Sequence, residues 1–113
     1  MKLQGDAKLL RIFVGESDKI GGIPVYEKIV MEARQNHLAG ATVYKGIMGY
    51  GANSRIHTAK ILRLSEDMPL VIEIVDEQTK IENFIPIVEE IFESSESGGL
   101  VTLEKAEIIK YTF

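Results

Sequence analysis

The sequence contains no cysteine among its 113 residues. This absence excludes a disulfide framework, a zinc site with thiolate ligands and a cysteine nucleophile. The chain also has no apolar run approaching the ~18 residues of a membrane span, and its start lacks the apolar stretch of a signal peptide. We therefore expect a soluble, cytoplasmic protein.

Acidic residues are absent from the segment 33–65, although the chain has 17 of them. Both histidines and several lysines and arginines lie in this segment, so one stretch of an acidic protein is electropositive. The formal net charge of the whole chain is −4. This charge argues against nucleic acid as the main partner, because proteins that bind the phosphate backbone are usually basic. A small anion bound by the local basic patch is compatible with it.

Hydrophobic periodicity predicts four main strands and two helices. The strands are expected at Lys8–Val14, Ala41–Tyr50, Leu70–Val75 and Leu100–Tyr111, with a further short piece at Ala59–Leu64, and the helices at Val25–Asn36 and Glu77–Phe92. Thr79 and Glu82 have the spacing of a capping box, and Pro86 is expected to kink the second helix. Gly15–Ile23 and Glu93–Gly99 have the composition of loops.

The β-α-β-β-α-β order predicts an α+β, ferredoxin-like sandwich that forms a single domain over residues 1–113. In this fold an antiparallel four-stranded sheet carries two helices on one face. The first and third strands are nevertheless apolar on both faces, apart from Lys8, Arg11 and Glu73. We therefore expect a second copy of the chain to cover the other face, so that the protein oligomerises through its sheet.

Three glycines with the spacing GxxGxG, Gly46, Gly49 and Gly51, lie in and just after the second predicted strand, where Gly46 and Gly49 suggest a bulge or a close backbone approach. Such loops favour anion binding, because the missing side chains let backbone N–H groups converge on a phosphate. The alternative is a twisted hairpin with solvated lysines. A second pair, Gly98-Gly99, precedes the last strand, which lies at the opposite edge of the predicted sheet. Two neighbouring subunits bring both loops to one ligand more easily than one subunit does.

The remaining polar residues do not indicate catalysis or metal binding. His37 and His57 have no partner at metal-ligand spacing, so we expect no metal site, and we place His37 at the end of the first helix. No serine or threonine has a base at a recognisable spacing, and we expect no catalytic residue. Glu73 lies on a strand that is otherwise apolar and therefore needs a partner: a ligand hydroxyl, a backbone amide or a basic residue in a structural ion pair.

Several of these stretches resemble those of PII signalling proteins, and more specifically a PII-like family catalogued as a domain of unknown function. The resemblance covers nearly the whole chain. It rests on Gly40–Val43 followed by Lys45–Gly51, on Glu73–Asp76 and Gly98–Val101, and, for the more specific family, on Gly15–Asp18, Ser54–Thr58 and Ile61–Asp67.

The resemblance implies a homotrimer with an adenine nucleotide, AMP, ADP or ATP, bound in clefts between neighbouring subunits, and no required cofactor. By this similarity the base would lie against Thr42, Glu73, Ile74 and Val75, the sugar and phosphates against Gly46, Met48, Gly49 and Gly51, and Gly98 and Gly99 would contribute from across the interface. Arg55 is added because of its charge. The family's phosphate-binding lysine and arginines have no counterpart here, since the chain offers Leu100, Lys105 and Lys110, which favours a nucleotide less charged than a triphosphate.

The family further implies a non-catalytic regulator, whose loop after Gly51 contacts a protein partner such as a membrane transporter or an enzyme. Two alternatives are a small hydrolase of phosphate esters or acyl phosphates on the same fold, and a purely structural trimer.

Overall fold

The structure, a computed structural model, describes residues 5–49, 57–58 and 68–112. Its elements follow the predicted order. The strands are β1 (Gly5–Gly15), β2 (Lys19–Ile20), β3 (Ile23–Pro24), β4 (Thr42–Lys45), β5 (Met48–Gly49), β6 (His57–Thr58), β7 (Pro69–Asp76) and β8 (Leu100–Ile108), and the helices are α1 (Val25–Gln35) and α2 (Gln78–Ser95). The short strand expected at Ala59–Leu64 lies outside the described residues.

The four long strands form one antiparallel sheet in the order β4-β7-β1-β8. This order is that of a ferredoxin-like fold, with the first and third of these strands in the centre. It confirms the predicted α+β architecture and places β4 and β8 at opposite edges. Two small antiparallel pairs, β2 with β3 and β5 with β6, lie outside this sheet.

The core lies between the sheet and the two helices. Every second residue is buried from Leu10 to Val14 in β1 and from Leu70 to Asp76 in β7, as expected for strands with one face against a core. Both helices pack on this same face, as the sequence predicts. The buried cluster consists of Leu10, Ile12 and Val14 of β1, Leu70, Ile72 and Ile74 of β7, Val25, Ile29 and Ala33 of α1, and Ile81, Phe84, Val88 and Ile91 of α2.

The opposite face of the sheet is also largely apolar. The register sets Leu9 beside Val75 and Phe13 beside Val71, so these four side chains share that face. They are half-buried or exposed, and Val75 retains 37% of its surface. Coverage of this face by another copy of the chain stays a prediction.

Helix α1 ends in a Schellman motif that turns the chain back towards the sheet. The N–H of His37 donates to the carbonyl of Arg34 at 3.1 Å, and that of Leu38 to the carbonyl of Ala33 at 3.0 Å. His37 takes the left-handed conformation, with φ of 61°, at the position where glycine is usual. The turn sets the course of the short segment that leads into β4.

Local boundaries differ from the sequence predictions in three places. The N-cap of α2 is Glu77 and its side chain makes no capping bond, so the capping box predicted for Thr79 is wrong. The helix continues through Pro86 to Ser95, beyond its predicted end. The loop expected before α1 contains the β2-β3 hairpin, whose two turn residues, Gly21 and Gly22, both have positive φ.

Candidate functional site

A cavity of about 640 Å³ lies at one end of the sheet, where β4 begins and where β7 and β8 end. Three stretches of chain form its walls. They are the segment Ala39–Thr42, Glu73 and Val75 of β7, and the C-terminal stretch Glu107–Tyr111. The volume is within the range of pockets that hold small molecules.

Strand pairing brings the first two walls together. Thr42, the first residue of β4, lies directly opposite Glu73. Val75 extends two residues further along β7, and side chains two apart on a strand share a face. The wall therefore offers a hydroxyl, a carboxylate and an apolar surface side by side.

The segment before β4 is fixed by a buried carboxylate. Asp76 is fully buried, and its two oxygens accept hydrogen bonds from the N–H of Ala39 at 2.8 Å and of Glu77 at 2.7 Å. A buried carboxylate is costly without such donors, so these bonds hold the start of α2 against the start of the cavity wall. Lys80 adds a bond to the carbonyl of His37 at 2.9 Å. The backbone of this wall is thus set by α2.

Glu73 has the ion-pair partner that the sequence left open. Its carboxylate accepts a hydrogen bond from the guanidinium of Arg11 at 2.7 Å, and Arg11 also pairs with Glu104 on β8. The bond to Glu73 raises the pKa of Arg11, which stays charged. The Glu73 side chain keeps 26% of its surface, so it faces both Arg11 and the cavity. The ion pair and a ligand contact are therefore compatible at this residue.

The predicted base-side residues divide between the cavity and the core. Thr42, Glu73 and Val75 line the cavity. The side chain of Ile74 packs in the core and is 1% exposed, so it does not reach the cavity.

The predicted phosphate-side glycines lie at the other end of β4. The N–H of Gly46 donates to the carbonyl of Pro69 at 2.7 Å, and a Cβ on Gly46 would lie 2.8 Å from the Pro69 ring. A Cβ on Gly49 would lie 3.1 Å from the same ring, whereas Met48 is 63% exposed. The close backbone approach expected at these glycines is confirmed, since both lie against Pro69. Gly46 lies between the end of β4 and the start of β5.

The second glycine pair lies at the opposite edge of the sheet. β8 and β4 are three strand spacings apart, which is about 14 Å. A Cβ on Gly99 would lie 2.7 Å from ring carbons of Phe92 and 2.8 Å from the backbone oxygen of Phe13, whereas Gly98 has open space. The packing of α2 on β1 therefore requires glycine at position 99. Within one chain the two glycine regions do not meet.

The basic patch is only partly described. Gly51 and Arg55 lie outside the described residues, and of the loop assigned to partner contacts only His57–Thr58 is described. Lys45 pairs with Glu16 at 3.1 Å, so the segment without acidic residues has a carboxylate beside it in space. Among the described residues there is no cluster of three or more potential metal ligands. No helix in the described part of the chain is long and apolar enough to cross a membrane.

The C-terminal wall of the cavity was not predicted. The sequence predicts only a continued last strand for Glu107 to Tyr111, whereas β8 ends at Ile108 and the chain then leaves the sheet. The hydroxyl of Tyr111 donates to the carbonyl of Ala39 at 2.7 Å. No periodicity in the sequence distinguishes this stretch from a strand. The anchoring role of Asp76 had a weak signal, an acidic residue just before a helix.

A family model described as "Uncharacterized ACR, COG1993" (DUF190) matches residues 7–108. The chain belongs to the DUF190 family. Two relatives are similar over most of their length. A UPF0166 protein of Aquifex aeolicus (strain VF5) is 41% identical over 102 residues, which are 90% of this chain and 92% of the relative. The UPF0166 protein MJ1524 of Methanocaldococcus jannaschii is 35% identical over 104 residues, or 92% of this chain and 93% of the relative.

Solved structures of PII-like proteins share the fold of this DUF190 chain. CPII, a nitrogen regulatory PII-like protein from Thiomonas intermedia K12, bound to ADP, AMP and bicarbonate, has a TM-score of 0.69 at 14% identity, over 91% of this chain and 88% of that one. A PII-like signaling protein from Thermus thermophilus has a TM-score of 0.65 at 13% identity, over 93% and 90% of the two chains. These likenesses confirm the PII-like fold that the sequence predicts.

Proposed function

We propose that this protein is a non-catalytic PII-like regulator that binds an adenine nucleotide in a cleft completed by a neighbouring subunit. The observation that carries the proposal is the cavity bounded by Thr42, Glu73 and Val75. These are residues that the resemblance assigns to the base side of a nucleotide. The structures of CPII with ADP and AMP support the choice of ligand, since they share this fold.

The chemistry of the cavity fits the nucleoside end of the ligand. Val75, Ile108 and Tyr111 supply apolar and aromatic surface, and Thr42 and Glu73 supply a hydroxyl and a carboxylate. A mostly apolar pocket with a few placed polar groups is typical of ligand sites. Ribose hydroxyls and the adenine amino group are donors that a carboxylate accepts.

The phosphates lie outside this cavity in the proposed complex. The described lining has two carboxylates, Glu73 and Glu107, and one ammonium group, that of Lys110. Since Glu73 is paired with Arg11, one carboxylate and one ammonium group remain, and these do not form the cluster of cations that a triphosphate requires. The proposed ligand is therefore ADP or AMP. Gly49, Gly51 and Arg55 are proposed to approach the phosphates, together with the glycines of a neighbouring subunit. Gly46 is not proposed as a phosphate donor, since its N–H is bonded to Pro69 and the Pro69 ring occupies the place of a side chain.

A neighbouring subunit is needed because Gly98 and Gly99 lie at the opposite edge of the sheet from Thr42. The open apolar face of the sheet supports assembly into a homotrimer, since burial of Leu9, Phe13, Val71 and Val75 against other copies would be favourable. In the proposed mechanism ligand in the cleft orders the loop after Gly51, and this loop contacts a transporter or an enzyme.

The proposal is tested by calorimetry with AMP, ADP and ATP on the wild type and two matched variants. Glu73→Gln removes one of the two carboxylate charges from the cavity lining. Glu104→Gln removes the other carboxylate that pairs with Arg11, and Glu104 does not line the cavity. Hydrogen bonds to charged groups contribute about 1.5–3 kcal/mol, so we expect at least a tenfold weaker binding of ADP by Glu73→Gln. Glu104→Gln should bind ADP like the wild type.

Wild-type binding no tighter than millimolar for all three nucleotides would overturn the proposal. Equal losses in the two variants would assign the effect to Arg11 instead of the cavity. Sedimentation of the wild type tests the assembly separately, because a stable monomer has no intersubunit cleft.

A further inference from the structure

The C-terminal stretch leaves β8 after Ile108 and runs across the end of the sheet. Ile108 is paired with Gly5 of β1, whereas the hydroxyl of Tyr111 is bonded to Ala39, which precedes β4 at the opposite edge. Between these two points the chain passes over the cavity, and Ile109, Lys110 and Tyr111 all line it. The stretch therefore bridges two walls that strand pairing alone leaves apart.

The two ends of this bridge differ in how firmly they are held. The acceptor, Ala39, is fixed through its N–H by the buried carboxylate of Asp76 at 2.8 Å. Most of the bridge is exposed: Ile109 retains 75% of its surface and Lys110 is also exposed, whereas Tyr111 is half-buried. Segments with little buried surface open locally at low free-energy cost. Opening is therefore expected to occur on the side of Tyr111 and not of Ala39.

We propose that residues 109–111 form a latch over the nucleoside cavity, and that the bond from Tyr111 to Ala39 slows the release of the nucleotide. This inference rests on the proposed function of the cavity. The closed latch leaves a volume of about 640 Å³, so it is compatible with an occupied site. It places Lys110, the one cation in the described lining, beside the ligand, and opening of the latch removes this cation together with the aromatic wall.

The first experiment measures release of ADP by stopped flow, with a fluorescent ADP analogue displaced by unlabelled ADP. Tyr111→Phe keeps the ring and removes the hydroxyl that bonds Ala39. A typical net hydrogen-bond contribution corresponds to about a fivefold change in a rate or equilibrium constant, so we expect a dissociation rate about five times that of the wild type. Tyr26→Phe is the matched control, since Tyr26 lies on α1 outside the cavity lining and should leave the rate unchanged.

The second experiment follows the latch without relying on ligand affinity. Trypsin cleaves after lysine, and cleavage after Lys110 requires the latch to open, because a bound protease substrate is extended and unobstructed. Mass spectrometry should show cleavage at this bond about five times faster in Tyr111→Phe than in the wild type. Short synthetic peptides with tyrosine or phenylalanine after the lysine give the intrinsic rates. ADP should slow cleavage in the wild type.

The outcomes separate the latch from the function on which it rests. Nucleotide binding by the wild type, with ADP release and cleavage unchanged in Tyr111→Phe, would overturn the latch and leave the proposed function standing. Absence of nucleotide binding by the wild type would overturn both. Faster release of ADP together with faster cleavage in Tyr111→Phe alone would support the latch.

Discussion

The two ends of the sheet use similar sequence features for different purposes. At the end where β4 begins, Gly40 has open space beside it and lines the cavity. At the other end, Gly46 and Gly99 lack side chains because another part of the protein occupies the place of a Cβ. The comparison shows that a glycine-rich stretch marks a close approach of the backbone without revealing whether the approaching group is a ligand or the protein itself.

The largest expected effect concerns Gly99, at the packed end of the sheet. Gly99→Ala places a methyl group against the Phe92 ring and the Phe13 carbonyl, both at less than 3 Å, and we expect a loss of about 3 kcal/mol in the free energy of unfolding. Gly98→Ala is the matched control, because nothing lies within 4 Å of its Cβ. Urea denaturation of the two variants measures the difference. Equal stabilities would mean that α2 and β1 do not approach as closely as the structure shows.

The next effect concerns the anchor of the cavity end. Asp76→Ala leaves the Ala39 N–H without its acceptor, and we expect a loss of about 2 kcal/mol in the free energy of unfolding together with weaker ADP binding. Glu77→Ala provides the control, since Glu77 is exposed and its side chain makes no capping bond. Thermal unfolding and calorimetry on both variants give the two quantities. Unchanged ADP affinity in Asp76→Ala would show that the cavity wall does not depend on this carboxylate.

A smaller effect is expected when one glycine from each end of the sheet, Gly46 and Gly40, is replaced by alanine. Gly46→Ala brings a Cβ to 2.8 Å from the Pro69 ring, and we expect a loss of about 1 kcal/mol in stability. Gly40→Ala meets no atom within 4 Å, so its stability should stay within about 0.5 kcal/mol of the wild type. Its methyl group would instead take space from the cavity and weaken ADP binding. Denaturation should thus show the larger loss of stability in Gly46→Ala, and calorimetry the larger loss of ADP affinity in Gly40→Ala. If the same variant lost more of both, the two ends of the sheet would not differ in the way proposed.

The fold was predictable because its signals are repeated along the chain. Strands β1 and β7 are apolar runs, and both helices carry apolar residues at helical spacing. Each contact in the core is therefore indicated by several residues at once. The incorrect predictions concern the ends of elements, where the boundary depends on a single residue. Thr79 has capping-box spacing, but the chain enters α2 two residues earlier, at Glu77. The start of a helix depends on tertiary anchoring, here by Asp76, which the local pattern does not encode.

The candidate site was less predictable, because it combines residues from distant strands. Thr42, Glu73 and Val75 could be nominated, since the resemblance carries them as a set. The latch was missed because Ile109 and Tyr111 are β-forming residues that follow Ile108 with no glycine or proline to mark the end of the strand. In the structure β8 ends at Ile108, opposite Gly5 of β1, at a point that no residue of this run marks.

The pairing of β1 with β7 also constrains how the chain is made. The first strand of the sheet is complete at Gly15, yet its neighbour begins at Pro69 and its other neighbour at Leu100. During synthesis, at about 5–20 residues per second, β1 therefore emerges several seconds before either partner exists. Its apolar faces must stay soluble alone for that time. Arg11, in the middle of the strand, breaks the apolar run during this interval and later joins Glu73 and Glu104 across the finished sheet.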